Sequence, residues 1–306
     1  MEDNIDELLY FINKNSVSFY KDYKQPENIE GISYSIKYFL KSLFEYQSTK
    51  LFEYIKNKNI SLNQKLVQII IDRINEKVKK SEYPGYLIEY KNTNNSSDFF
   101  NYFELNILPK INIFYSNYDE KVEDISKDSI EILRNISLYY GVNPIHVSLG
   151  VSISSLINKL GYTQLVLQGS PFIPSLIEKG RKVETYGYAG PGYGYGLRGG
   201  VLIHKGDGDN YIGLEIEGGI LVFYGDIKDY GFMNMKGGSV TLIGNTGKEC
   251  FNAIGGGKVY VKGNIGKNSL NDIYGGKIIV DGNVDEGSLK NIYGGEIIVN
   301  GKKYGK

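Results

Sequence analysis

Residues 237 to 301 read GGSVTLIGNTGKECFNAIGGGKVYVKGNIGKNSLNDIYGGKIIVDGNVDEGSLKNIYGGEIIVNG. Four times a glycine pair precedes a five-residue β-rich run (SVTLI, KVYVK, KIIVD, EIIVN), and a further glycine follows the run. The pairs begin at Gly237, Gly256, Gly275 and Gly294, nineteen residues apart, and the same step reaches back to Gly218 and Gly199. The single glycines keep the same phase: Gly206, Gly225, Gly244, Gly263, Gly282 and Gly301, with Gly180 and Gly187 one unit earlier. A fixed period near 20 residues is the signature of stacked repeats, each unable to bury its own apolar face.

The columns of the repeat say what kind of stack. The second run position is always aliphatic: Leu202, Leu221, Val240, Val259, Ile278, Ile297. The fourth reads His204, Phe223, Leu242, Val261, Val280, Val299. Alternation of period two turns both inward on a strand. Further inward columns precede the pair, at Leu197, Ile216, Met235, Ile254, Ile273 and Ile292, and at Phe232, Phe251, Leu270 and Leu289. Strand stacked on strand, about 4.8 Å apart, makes one continuous core. Glycine pairs permit positive φ and close approach between coils. The prediction is a C-terminal right-handed, single-stranded parallel β-helix of about seven 19-residue coils over residues 180–306. The column Asp207, Asp226, Asn245, Asn264, Asn283 suits turns and coil-to-coil hydrogen bonds, and Asp207 with Asp226 also offers a carboxylate pair.

Working outward, composition divides the 306-residue chain. Only seven of its 38 glycines precede residue 181, whereas six of its seven prolines precede residue 175. The first half reads as a mostly helical domain over 1–160, with 161–179 a linker or first irregular coil. Ile5, Leu8, Leu9 and Ile12 mark a helix over Asp3–Asn13, and Ile36 to Ile55 a long one over Ile32–Asn57, with a break possible inside it. Ser61-x-x-Gln64 opens another as a capping box. Glu120–Tyr139 is helical, and Asn143-Pro144 starts the last helix. Short strands are expected at Tyr86–Tyr90 and Lys110–Tyr115, with a polar loop at Asn92–Asp98. This is a multidomain chain.

The pattern GG-SVTLI-GN…GG-KVYVK-GN…GG-KIIVD-GN…GG-EIIVN-G resembles the GXGXG repeat. That repeat occurs in the C-terminal domain of the glutamate synthase large subunit and in the C chain of formylmethanofuran dehydrogenase. Residues 225–238, GDIKDYGFMNMKGG, carry the closest likeness. The resemblance implies a right-handed β-helix that acts as a scaffold, with catalysis on other domains or subunits. The family often keeps a glycine five residues before the pair; here only Gly194 and Gly213 do, and Phe232, Phe251, Leu270 and Leu289 replace the rest.

Chemistry-bearing groups are few. Lys plus Arg and Asp plus Glu are both 35, so bulk charge points to neither nucleic acid nor membrane. One cysteine, Cys250, excludes a disulfide framework and cysteine-based clusters, and two histidines exclude histidine-rich metal sites. The chain begins Met-Glu-Asp, without the terminal cysteine of an amidotransferase and without a basic leader, so a cytoplasmic protein is expected. His204 with Asp207 and Asp209 is either a metal or acid–base set or a structural histidine in an inward column. Tyr186, Tyr188, Tyr193 and Tyr195 in YGYAGPGYGYG either stack on a sugar or nucleotide or cap the first coil. The middle strand position, Ile203, Val222, Thr241, Tyr260, Ile279, Ile298, forms an outward stripe that the helical half, a partner subunit or a second copy would cover. The resulting expectation is a non-enzymatic scaffold without catalytic residues, metal or cofactor, contacting a protein partner or itself. The alternatives are a subunit of a glutamate synthase-like or formylmethanofuran dehydrogenase-like complex and a small-ligand module.

Overall fold

The computed structural model describes residues 2–80, 125–140, 142 and 144–305. The strands expected at 86–90 and 110–115, the loop at 92–98 and the cap Asn143 lie outside these residues. The chain forms two compact units, Met1–Leu62 with Asp72–Leu156, and Asn63–Ile71 with Ile157–Lys306.

Five helices are described: α1 (Glu2–Asp22), α2 (Ile32–Asn57), α3 (Gln64–Lys80), α4 (Lys127–Tyr140) and α5 (Pro144–Ile157). In the first unit the apolar faces read from sequence are the buried ones, with Leu8, Ile12, Ile36, Phe39, Leu40, Leu43 and Leu51 all shielded from solvent. α1 continues past Asn13 to Asp22, because Val17, Phe19 and Tyr20 prolong its buried face. α2 is unbroken over 26 residues. Buried Gln47 ties the two helices together, donating from Nε2 to the Ile12 carbonyl at 3.0 Å and to Ser16 Oγ at 2.8 Å. Phe19, Tyr23 and Phe39 pack edge to face or tilted, with centroids 4.9–5.4 Å apart. α4 starts at Lys127, capped by Ser126 Oγ accepting from the Ser129 N–H at 3.1 Å; residues 120–124 of the helix expected over Glu120–Tyr139 lie outside the described residues. The cap of α3 is Asn63, whose Oδ1 accepts from the Leu66 N–H at 3.0 Å, so the helix begins three residues after the expected capping box at Ser61.

The second unit is a parallel β-solenoid of about seven turns. Its strands are β1 (Tyr162–Gln168), β2 (Lys182–Tyr188), β3 (Arg198–Lys205), β4 (Gly218–Tyr224), β5 (Ser239–Ile243), β6 (Lys258–Lys262), β7 (Lys277–Asp281), β8 (Glu296–Val299) and β9 (Lys302–Tyr304). They form one sheet in sequence order, parallel through β8, with β9 turning back antiparallel. From β2 to β8 the strand cores pair at a step of nineteen, as Leu202↔Leu221↔Val240↔Val259↔Ile278↔Ile297, with one register shift between Arg198 and Val201 on β3. That file is buried throughout, as is the one from His204 through Phe223 and Leu242 to Val280. β1 pairs with β2 at a step of twenty, so residues 162–168 supply a regular first strand.

The wall before each glycine pair has an unusual backbone. Positive φ recurs at alternate residues: Gly192, Gly194, Gly196; Tyr211, Gly213, Glu215; Tyr230, Phe232, Asn234; Glu249, Phe251, Ala253; Asn268, Leu270, Asp272. The positions at which the resembling repeat keeps glycine thus keep the left-handed conformation here with phenylalanine or leucine in it. Phe232 and Phe251 have φ of 56° and 58° and are fully buried, their rings stacked at 4.9 Å. A Cβ added to Gly213 would lie 2.5 Å from the Phe232 ring, so the glycine above makes room for the aromatic below.

Side chains also bond between coils. Asp207, Asp226, Asn245 and Asn264 each accept, through a side-chain oxygen, the main-chain N–H of the residue nineteen later, at 2.7–2.9 Å. A second ladder runs Asn252, Asn271, Lys290, and a third Asn210, Asp229, Lys248. In a fourth the direction reverses: Gly231 N–H donates to Cys250 Sγ, Cys250 N–H to Ser269 Oγ and Ser269 N–H to Ser288 Oγ. These bonds satisfy turn amides that no strand partner reaches.

Candidate interaction site

The outward stripe is a single file. Ile203, Val222, Thr241, Tyr260, Ile279 and Ile298 stand in register on consecutive strands, between Glu184 at one end and Lys303 at the other. Each is half-buried. Beside the file on β4, Ile220 and Tyr224 are 46% and 45% exposed. The apolar area is therefore broadest across β3 and β4. Toward β7 the borders turn polar: Lys277 pairs with Glu296 at 2.8 Å, and the Tyr260 hydroxyl donates to Asp281 at 2.7 Å. The face offers apolar area, with charge confined to its rim.

The four tyrosines of residues 186–196 do not share a face. Tyr193 and Tyr195 are buried inside the solenoid, and a ligand in solvent has no access to their rings. Tyr186 and Tyr188 lie on β2 and are half-buried outside, with Lys205 Nζ 5.6 Å from the Tyr186 centroid and Lys228 Nζ 5.7 Å from that of Tyr188. The segment Gly192–Gly196 is the all-glycine copy of the left-handed wall, which begins with Phe172 and Leu176 one coil earlier and recurs in every later coil.

Tyr193 belongs instead to an internal polar chain. Its hydroxyl is 2.8 Å from Thr185 Oγ1, which is 2.9 Å from His204 Nδ1. The imidazole packs at 4.5 Å against Phe223. Burial drives the His204 pKa down to about 4, with the backbone of Asp207 and Gly187 opposing in part, so the ring is neutral at pH 7. Asp207 points its carboxylate oxygen at the Asp226 N–H, and Asp209 lies 3.2 Å from Lys228 Nζ. His204, Asp207 and Asp209 therefore do not converge, and among the described residues no three His, Cys, Asp or Glu side chains form a metal-holding group. Cys250 is buried and its thiol is pushed up to about 12 by desolvation, which makes it a hydrogen-bonding member of a serine ladder rather than a nucleophile.

Within the helical unit, a cleft of about 360 Å³ opens between the α1–α2 connection and α4, bordered by Gln25, Glu27, Ser35, Asp128, Glu131 and Asn135. The Asp128 carboxylate already accepts the Gln25 N–H at 2.8 Å, which makes it a fastener of that connection. Among the described residues no helix is long and apolar enough to cross a membrane. No family model, characterised protein or solved structure matches the chain.

Proposed function

We propose that this protein is a non-catalytic scaffold whose solenoid docks another protein along the stripe from Ile203 to Ile298. The observation that carries the reading is the register: six residues, five of them apolar, fall in one outward file with apolar neighbours Ile220 and Tyr224 beside it. A flat sheet face of this kind gives a partner buried area without requiring the solenoid to rearrange. Support also comes from the buried neutral His204, the buried thiol of Cys250, and Asp207 and Asp209, which are turned to the Asp226 N–H and to Lys228. The resemblance of the glycine repeat to a domain that serves as scaffold in larger enzymes agrees with it. A role inside such an oxidoreductase complex is a special case of the same reading, with the stripe as the surface that meets the neighbouring chain.

The test is affinity purification of the intact protein from its own cells beside a variant carrying Val222→Lys and Ile279→Lys. Both substitutions are on half-buried outward positions, and far-UV circular dichroism with a thermal melt checks that the coil is intact. Defined proteins that accompany the native chain in fixed ratio and are absent from the variant are the expected result. The same companions with both proteins, or none with either, would overturn the proposal.

A further inference from the structure

The cleft in the helical unit has walls that are fixed by the protein's own bonds. On one side the α1–α2 connection is pinned. The Gln25 N–H donates to Asp128 Oδ2 at 2.8 Å, Gln25 Nε2 donates to the Ile29 carbonyl at 3.0 Å, and the Ile29 N–H donates to the Pro26 carbonyl at 3.1 Å. On the other side stands α4. Its Asp128, Glu131, Ile132 and Asn135 follow the i, i+3, i+4, i+7 spacing of a single helical face, and that face lines the cleft. A volume of about 360 Å³ suits a small molecule.

The polar groups of these walls accept more than they donate. Carboxylates enter from both sides, Glu27 from the connection and Asp128 and Glu131 from α4, and no lysine or arginine borders the cleft among the described residues. The side chains of Glu27 and Glu131 make no ion pair or hydrogen bond among those residues. Ser35 donates its hydroxyl hydrogen to the Gly31 carbonyl at 3.1 Å, so only its lone pairs remain to offer. Among the described residues the three carboxylates do not meet closely enough to hold a metal ion. Pro26, Ile29 and Ile132 add apolar surface.

Acidic residues early in a helix are ordinary, since they complement its dipole. Asn135 is a separate observation. It lies about two turns into α4, is 7% exposed, and its carboxamide has no hydrogen-bond partner among the described residues. A carboxamide buried without a partner destabilises the fold that holds it, and a ligand that supplies the partner offsets that cost. We propose that the cleft binds a short aliphatic diamine. Its two ammonium groups pair with Glu27 and Glu131 on opposite walls, its methylenes lie against Ile29 and Ile132, and an ammonium hydrogen is accepted by Asn135 Oδ1. A diamine has only donors at its ends and only apolar surface between them, the complement of these walls. An extended dication also reaches carboxylates that stand apart, which a point charge does not.

The experiment is isothermal titration calorimetry of the full-length protein with 1,4-diaminobutane, beside 1,4-butanediol, which has the same length without the charge. Binding of one diamine per chain and none of the diol is expected. Glu131→Gln removes a carboxylate and keeps its shape, and is expected to weaken binding about tenfold. Asn135→Leu leaves every charge in place and is expected to weaken binding by a similar factor. Its thermal melt without diamine is expected to be no lower than that of the native protein, because the carboxamide has no partner to lose. Loss of affinity in Glu131→Gln with none in Asn135→Leu would show diffuse attraction to an acidic surface and overturn the site. So would absence of diamine binding, equal binding of the diol, or affinity unchanged in both variants. An Asn135→Leu protein that melts well below the native one would show that the carboxamide is already bonded, and would overturn the proposal too. None of these outcomes involves the stripe, so the scaffold proposal is judged separately.

Discussion

Phe232 shows how one side chain changes what a repeat requires of its backbone. Its φ of 56° costs about 1 kcal/mol relative to glycine, yet its ring fills the core and stacks on Phe251. Truncation to alanine is expected to destabilise the protein by about 3–5 kcal/mol in urea unfolding. Phe232→Gly is expected to cost no more than Phe232→Ala, reversing the usual order, because glycine regains the conformational term. A glycine variant clearly less stable than the alanine variant would show that the backbone is unstrained there. His204 sets a pH dependence. Its folded pKa of about 4 lies below the ordinary 6.5, so the unfolded chain binds the proton more tightly. Its contribution is constant above about pH 7 and is lost as pH falls from 6.5 toward 4, by at most about 3 kcal/mol. His146, also lowered to about 4 by burial, titrates in the same window. His204→Gln is therefore expected to flatten part of the stability–pH curve, and an unchanged curve would assign the whole effect elsewhere.

At the scale of the element, strands and ladders divide the hydrogen bonding. β3 to β8 satisfy their main chains against neighbouring strands, in register apart from one shift on β3, while the turns depend on Asp, Asn, Ser and Cys side chains placed nineteen residues apart. Asn264→Ala removes the acceptor of the Asn283 N–H, and its expected cost is about 1 kcal/mol, read as a lower urea midpoint with unchanged slope. The same substitution at Asn283, for which Asn264 is the acceptor rather than the reverse, leaves that bond in place. It therefore serves as the control. The ladder from Asp207 was visible in the sequence as a column. Those through Asn252 and Asn271 and through Cys250 and Ser269 were equally periodic but looked like unrelated polar residues, because their members change from coil to coil.

For the solenoid as a whole, each coil touches only its neighbours, so stability is a sum along a line and the ends hold least. At the C-terminal end Leu289 and Ile292 are only half-buried, whereas their equivalents Leu270 and Ile273 are fully buried. Amide exchange is accordingly expected to be slowest in β4 to β6 and to quicken progressively through β7, β8 and β9. Uniform protection would mean that the unit unfolds in one cooperative step. The two ends are also closed by different means, lysines on β9 and glutamines from a helix that precedes the repeat by about a hundred residues.

By itself the sequence determined the period, the inward files and the outward stripe, because a nineteen-residue step and an alternation of two leave no freedom in which face a residue takes. It also placed α2 and its buried face, since 3.6-residue periodicity is a local property. Only the tertiary structure decided that Tyr193 and Tyr195 turn inward while Tyr186 and Tyr188 stay outside, because the alternating left-handed backbone of Gly192, Gly194 and Gly196 follows neither strand nor helix periodicity. It alone revealed that Gln64 and Gln68 meet β1, a contact about one hundred residues distant in the chain. Two glutamines four apart on a helix are ordinary surface residues until a strand edge with matching intervals is laid against them.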